Sequence, residues 1–248
     1  MEQKTERLNK FLALQLGISR RQADELIEKG RISINGKTAQ LGERFKAGDE
    51  IKLGEKIISK TREEKKYVIF NKPRGYVCSR KKQGENETIY AILPKEFSAL
   101  KPVGRLDKDS SGILILTNDG DFANAMMHPS SHLPKTYEVA VTGVLTDDML
   151  NRLERGIMLS DGKTLPAEVV LLERSTKKNK TVLHITIQEG RNREVRRMME
   201  YFHCEVTRLN RIGYGFLDLG NLRQGQYRKL RSFEVRKLLA MVKRSAEN

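Results

Sequence analysis

Leu8, Phe11 and Leu12 fall at helical spacing near the start of the chain, and Gly17 breaks the pattern. Ser19, followed three residues on by Gln22, is a capping box and predicts a second helix from about Arg20. Ala23, Leu26 and Ile27 give that helix an apolar stripe, and Gly30 ends it. Ile32 and Ile34 then flank Ser33 as in a half-buried strand. Asn35-Gly36 marks a hairpin turn, and a turn at Gly48-Asp49 leads to a short strand with Ile51 and Leu53. Helix, helix, strands is the order of a small module over residues 1–60.

The pattern changes after residue 66. Tyr67–Phe70, Gly112–Thr117, Tyr137–Val141, Ala167–Leu172 and Val182–Gln188 are apolar and β-branched runs between turn signals, and they predict strands. Several are joined without a helix-sized crossover. This favours an α+β fold, with a mixed, largely antiparallel sheet and flanking helices, over a doubly wound one. Within 189–202, Val195, Met198, Met199 and Phe202 share one helical face. Asn192 is the expected cap, and Arg193, Arg196 and Arg197 are expected on the opposite side. The run SKTREEKK has no large apolar residue and reads as a link over 61–66. A second domain is then expected over 67–241, with a polar tail at 242–248.

Composition narrows the partner. The chain has 248 residues, enough for two domains, and 38% hydrophobic residues, enough for a sizeable core. Forty-seven Lys and Arg against 32 Asp and Glu give a net charge of +15. That balance points to a polyanion, nucleic acid first and an anionic membrane surface second. The basic residues are not gathered on one amphipathic helix, which counts against the membrane. No apolar run approaches the ~20 residues of a bilayer span. The opening MEQKTERLNK has no apolar core, so no secretory leader is expected. Only two cysteines, Cys78 and Cys204, fit a reduced, cytoplasmic setting. His128, His132, His184 and His203 lack ligand spacing, and no dinucleotide or P-loop motif occurs. Neither metal nor cofactor is expected.

Candidate chemistry gathers in three places. In Gly104–Asn118 a charged, Ser- and Gly-rich loop runs into an apolar strand, and Asp107 lies among Arg105, Lys108 and Asp109. Cations at that distance keep a carboxylate ionised, fit to act as nucleophile or base. The same residue also fits an Asx-turn. Arg191, Arg193, Arg196 and Arg197 crowd seven positions. Their planar forks suit phosphate or carboxylate, and equally a solvated basic face. Tyr137 opens a strand and fits either base stacking or plain packing. Arg20 and Arg21 stand at a helix start, where the macrodipole disfavours cations unless an anion joins them.

Residues 6–53, which contain RLNKFLALQLGISRRQADELIEKGRISINGK, resemble the S4 RNA-binding domain. That resemblance implies RNA contacts from Arg7, Lys10, Arg20 and Arg21. GRLDKDSSGILILTNDG, with KPRGYVCS, KTYEV and EGRNREVRRMMEYFHCEVTRLNRIGYGFLDLGNLRQGQYRKL, resembles the RNA pseudouridine synthases. The likeness is to the S4-bearing branch that isomerises single uridines in ribosomal RNA.

The resemblance implies four roles. Asp107 matches the essential aspartate, and Arg105 the arginine that enters the RNA helix in place of the departed uridine. Tyr137 matches the aromatic residue that stacks on the extruded uracil, and Arg196 the arginine paired with the aspartate. Arg193 and Arg197 are expected as further RNA contacts. The implied partner is ribosomal RNA, with a lean to the large subunit, or an assembling ribosomal particle, acted on by a monomer. The alternative class is a non-catalytic RNA-binding or ribosome-assembly protein using the same basic surfaces.

Overall fold

The computed structural model describes residues 5–58, 64–80 and 84–247, and the backbone alone of 244–247. The expected link falls partly on residues 61–63, which lie outside the described residues. The chain divides into two compact units, Met1–Glu64 and Lys65–Asn248.

The first unit holds β1 (Glu6–Arg7), α1 (Leu8–Gln15), α2 (Arg20–Glu28), β2 (Ile32–Ile34), β3 (Lys37–Thr38), β4 (Arg44–Phe45), β5 (Ile51–Leu53) and β6 (Lys56–Ile57). Its local signals are realised. The Ser19 hydroxyl accepts from the Gln22 N–H at 3.2 Å, and the Gln22 side chain accepts from the Ser19 N–H at 2.9 Å. Asn35 and Gly36 both take positive φ, which lets β2 turn tightly into β3. Leu8, Phe11, Leu12, Ala23, Ile27, Ile32 and Ile51 form a closed core. Phe11 and Phe45 meet at 4.8 Å between ring centroids.

The second unit runs β7 (Tyr67–Lys72), β8 (Lys101–Val103), β9 (Ser111–Thr117), α3 (Gly120–Met127), β10 (Lys135–Thr142), α4 (Asp147–Arg155), β11 (Met158–Leu159), β12 (Gly162–Lys163), β13 (Glu168–Ser175), β14 (Lys180–Ile187), α5 (Glu194–Glu200), β15 (Glu205–Tyr214), β16 (Leu217–Asp218), β17 (Tyr227–Lys229) and α6 (Ser232–Glu247). The main sheet has the order β13-β14-β10-β15-β9-β7-β17. Its pairings are antiparallel except β15 with β9. Strand alternation divides the core. Phe70, Leu114, Val139, Leu183 and Met198 pack on one side, and Ile69, Ile113, Ile115, Phe122 and Leu238 on the other.

Two expectations change, and one central strand was not among those expected. The ten-residue β15 lies at the sheet centre, although EVTRLNRIGY looks too polar for that place. The expected tail is helical, because α6 continues through residues 242–247. Asn192 does not cap α5, whose N-cap is Arg193, in the left-handed region at φ 49°. The Glu194 carboxylate instead accepts from the Arg191 N–H at 3.0 Å and closes that turn.

Candidate active site

One row of residues crosses the main sheet in register. Lys72 on β7 opposes Gly112 on β9, Gly112 opposes Arg211 on β15, and Arg211 opposes Tyr137 on β10. Opposed residues send their side chains to the same face, so Lys72, Arg211 and Tyr137 stand in one line. Position 112 has no room for a side chain. A Cβ there would lie 2.2 Å from the Arg211 carbonyl oxygen, and φ is +111°.

The loop that precedes β9 is tied to this row. Lys72 is 0% exposed. Its Nζ donates to the carbonyl oxygens of Ser110 at 2.8 Å, Pro73 at 3.0 Å and Asp107 at 3.1 Å. Burial pushes its pKa down to about 8, while the carbonyl shell favours the charged form. The Ser110 N–H donates to the Asp107 carbonyl oxygen at 3.1 Å, so backbone closes this turn and not an Asp107 side-chain bond. The carboxylate is thereby free to project. Its side chain is 36% exposed, at the rim of the site and less shielded than a dry pocket would make it.

Two arginines of the α5 region face that carboxylate. Arg196 Nε lies 3.7 Å from Asp107 Oδ2, and Arg193 Nη1 lies 3.9 Å away. The expectation that Arg196 points outward with its neighbours is wrong, because it is buried. Its Nη2 donates to the Asp109 carbonyl at 3.2 Å and to Ser110 Oγ at 3.3 Å. Burial, then the neighbouring Arg193, lower its proton affinity, and Asp107 raises it.

The other half of the arginine cluster is architectural. Arg197 grips Asp161 through two contacts of 2.8 Å, and Arg191 binds Glu189 at 2.7 Å and the Lys163 carbonyl at 2.6 Å. These pairs fasten the β11–β12 hairpin to α5 and to the turn before it. The Arg197 hydrogen bond is the main reason Asp161 falls to about 2.

Asp107, Arg105 and Tyr137 line one cleft of about 980 Å³ together with Lys135, Glu194 and Arg211. Arg105 is exposed and Tyr137 is buried. Glu194 is buried beside Glu189, and burial with that neighbour pushes it up to about 8. Glu189 stays low despite its own burial, because Glu194, the Leu165 N–H and Arg191 all donate to it. Among the described residues no cluster of His, Cys, Asp and Glu is arranged to hold a metal ion.

The expected residues therefore separate. Arg105, Asp107, Tyr137 and Arg193 line the cleft, Arg196 stands behind Asp107, and Arg197 is turned to Asp161. Arg7, Lys10, Arg20 and Arg21 belong to the first unit. Arg7 and Arg21 are exposed there, and Arg20 Nη2 donates to Asn9 Oδ1 at 3.0 Å. Lys72, Lys135, Glu194 and Arg211 line or support the site without having been singled out. Lys72 carried one signal, as a charged residue ending an apolar strand. Arg211 carried none, because its strand was not foreseen.

The site is thus a half-buried carboxylate held against two guanidiniums, beside a cleft with an aromatic wall and basic residues around it. Residues 66–201 match the RNA pseudouridylate synthase family, and residues 6–51 match the S4 domain. The chain belongs to the RNA pseudouridylate synthase family, a family of isomerases. It is 42% identical to a ribosomal large subunit pseudouridine synthase B of Bacillus subtilis, over 95% of this chain and 96% of that one. A protein of the same name from Xylella fastidiosa is 39% identical over 96% of this chain, which spans 52% of that longer relative. The crystal structure of a pseudouridylate synthase superposes with a TM-score of 0.68 at 31% identity, covering 94% of this chain and 99% of that one.

Proposed function

We propose that this protein converts uridine to pseudouridine at a specific site in large-subunit ribosomal RNA, acting in the cytoplasm as a monomer and without a cofactor. The observation that carries the reading is the Asp107 carboxylate at the rim of the cleft, 3.7 Å from an enclosed Arg196 Nε. Isomerisation detaches uracil from C1′ at N1, turns it, and rejoins it through C5. A stacked base is unreachable, so it must be flipped out, at a cost of a few kcal/mol. Arg105, exposed beside the cleft, fills the gap left in the RNA. Tyr137 walls the cleft and holds the freed ring close to the sugar until the second bond forms. Asp107 is the reacting carboxylate, and Arg196 is the opposite charge beside it as RNA covers the site and excludes water. Arg193 is the nearest further cation for the RNA backbone, and Arg7, Lys10, Arg20 and Arg21 anchor a second segment of RNA.

The test is Asp107→Ala. Pseudouridine formation on large-subunit ribosomal RNA should be lost while RNA affinity changes little. Turnover retained in that variant would reject the assignment and favour a non-catalytic RNA-binding role. Mapping pseudouridines in ribosomal RNA from cells lacking the protein then names the uridine.

A further inference from the structure

Arg211 is 3% exposed and lines the cleft. Its Nε donates to the Ile113 carbonyl at 2.8 Å, but its Nη2 is fully enclosed and has no hydrogen-bond partner. Its guanidinium carbon lies 5.2 Å from the centroid of the Tyr214 ring. Lys135 approaches the same ring at 5.8 Å and gives a hydrogen bond to the Leu133 carbonyl. The carboxylates of the cleft are engaged elsewhere. Asp107 faces Arg193 and Arg196, Glu189 binds Arg191, and Glu194 caps the Arg191 N–H. A buried guanidinium with an unmet donor is expensive to keep. Such a donor has a use if negative charge arrives during the reaction, since preorganised donors in a dry site act most strongly on charge that develops there.

The reaction supplies that charge. When the C1′–N1 bond breaks heterolytically, both electrons stay with the base, and the ring becomes an anion delocalised over N1, O2 and O4. The electron-poor C1′ is met from the other side by the Asp107 carboxylate. When the ring turns about its N3–C6 axis, C5 comes to where N1 was and O4 to where O2 was. The ring's electrons then form the C5–C1′ bond as the Asp107 carboxylate is released from C1′, the proton on C5 passes to solvent, and N1 takes up a proton in its place, so the product is an isomer of uridine. A guanidinium charge fixed at one edge therefore stabilises O2 as the first bond breaks and O4 as the second forms. Tyr137, opposed to Arg211 in the row across the sheet, would place the ring at that edge.

We propose that Arg211 is a further catalytic residue, whose buried guanidinium receives the negative charge of the detached uracil, with Lys135 adding to the positive field behind it. This rests on the pseudouridine-forming reading above.

The experiment compares wild type, Arg211→Met and Arg211→Lys in single turnover on two large-subunit ribosomal RNA transcripts, one with uridine and one with 5-fluorouridine. Fluorine withdraws electrons and lets the ring carry the charge with less help. Loss of the parent nucleoside is followed after digestion, and RNA affinity and thermal unfolding are recorded alongside. Arg211→Met is expected to bind RNA within about threefold of wild type, to lose about 10²-fold in rate on uridine, and to lose about tenfold or less on 5-fluorouridine. Arg211→Lys should show the same contrast with smaller losses, and it decides the matter should the methionine variant fail to fold. Equal losses on both transcripts, or a rate near wild type on uridine, overturn the proposal. If wild type itself makes no pseudouridine, the underlying reading fails instead. If Asp107→Ala is inactive while the Arg211 variants are not, only the role of Arg211 falls.

Discussion

Arg196 holds its Nε 3.7 Å from Asp107 Oδ2, and that nitrogen is enclosed without a hydrogen-bond partner. The gap is slightly too long for a hydrogen bond, so the two are held as an ion pair awaiting closure. Arg196 also ties the loop, through the Asp109 carbonyl and Ser110 Oγ. Arg196→Met should therefore cost both activity and stability. The expected loss is at least about 10²-fold in single-turnover rate, with destabilisation of about 1–3 kcal/mol from the acceptors left unpaired. Arg196→Lys keeps the charge without the fork and should recover stability better than rate. Single-turnover assays and urea unfolding separate the two effects.

Gly112→Ala tests the row across the sheet. The added methyl would sit 2.2 Å from the Arg211 carbonyl oxygen and 2.5 Å from its nitrogen, on a backbone at φ +111°. Neither neighbour is a flexible side-chain end, so β9 and β15 would have to part. The expected cost is at least about 3 kcal/mol, seen as a lowered urea midpoint or as insoluble protein. A stable Gly112→Ala protein would mean that β9 and β15 pair less closely than described.

Much of this was legible where the cause is local. The Ser19–Gln22 box and the Asn35-Gly36 turn depend on neighbours within a few residues, and the sequence pattern carried them. The apolar face of α5 was equally plain, since Val195, Met198, Met199 and Phe202 can only face inward. The start of α5 was not. Its turn is closed by the buried Glu194, whose carboxylate accepts from the Arg191 N–H, a contact that residue type alone does not reveal. β15 was hidden for two reasons. Its pairing with β10 shifts register twice, breaking the alternation, and one inward position holds Arg211 in place of an apolar residue. The Asp107 loop was visible as a motif, but its anchor, Lys72, lies 35 residues from Asp107 in the chain. Whether Arg196 or Arg197 meets Asp107 was equally closed to residue type, because the β11–β12 hairpin claims Arg197 through Asp161.

Glu194 gives the protein a pH signature. Burial, with Glu189 adjacent, raises its pKa from 4.5 to about 8 in the folded state. Lys135, Arg191, Arg197 and Glu189 are the charged groups that act on it or share its surroundings. Between pH 4.5 and about 8 the folded chain holds a proton that the unfolded chain has released. Stability from this group is thus complete below pH 4.5 and is lost as pH rises through about 8. Glu194→Gln is permanently neutral and should remove this slope. Thermal melts from pH 5 to 9 are the check: wild type should lose ground to the variant as pH rises, and parallel curves would show that Glu194 is ionised throughout.

The S4 unit carries the last prediction. Arg20 and Arg21 open α2, whose first turn contains no acidic residue to offset the dipole. Both are exposed, and Arg20 is braced by Asn9, which in turn donates to Asp24 at 2.8 Å. Two guanidiniums at a helix start suit a phosphate, and replacing both with Glu reverses the charge there. Arg20→Glu with Arg21→Glu should leave the fold intact, since neither side chain is in the core. It should weaken binding to long ribosomal RNA and flatten its salt dependence by about 0.7 for each single-strand phosphate that is no longer neutralised. On a minimal stem-loop the loss should be smaller, because a short RNA engages only the catalytic cleft and gains nothing from a second anchor. Equal losses on the two RNAs would mean that these arginines do not form a separate anchor.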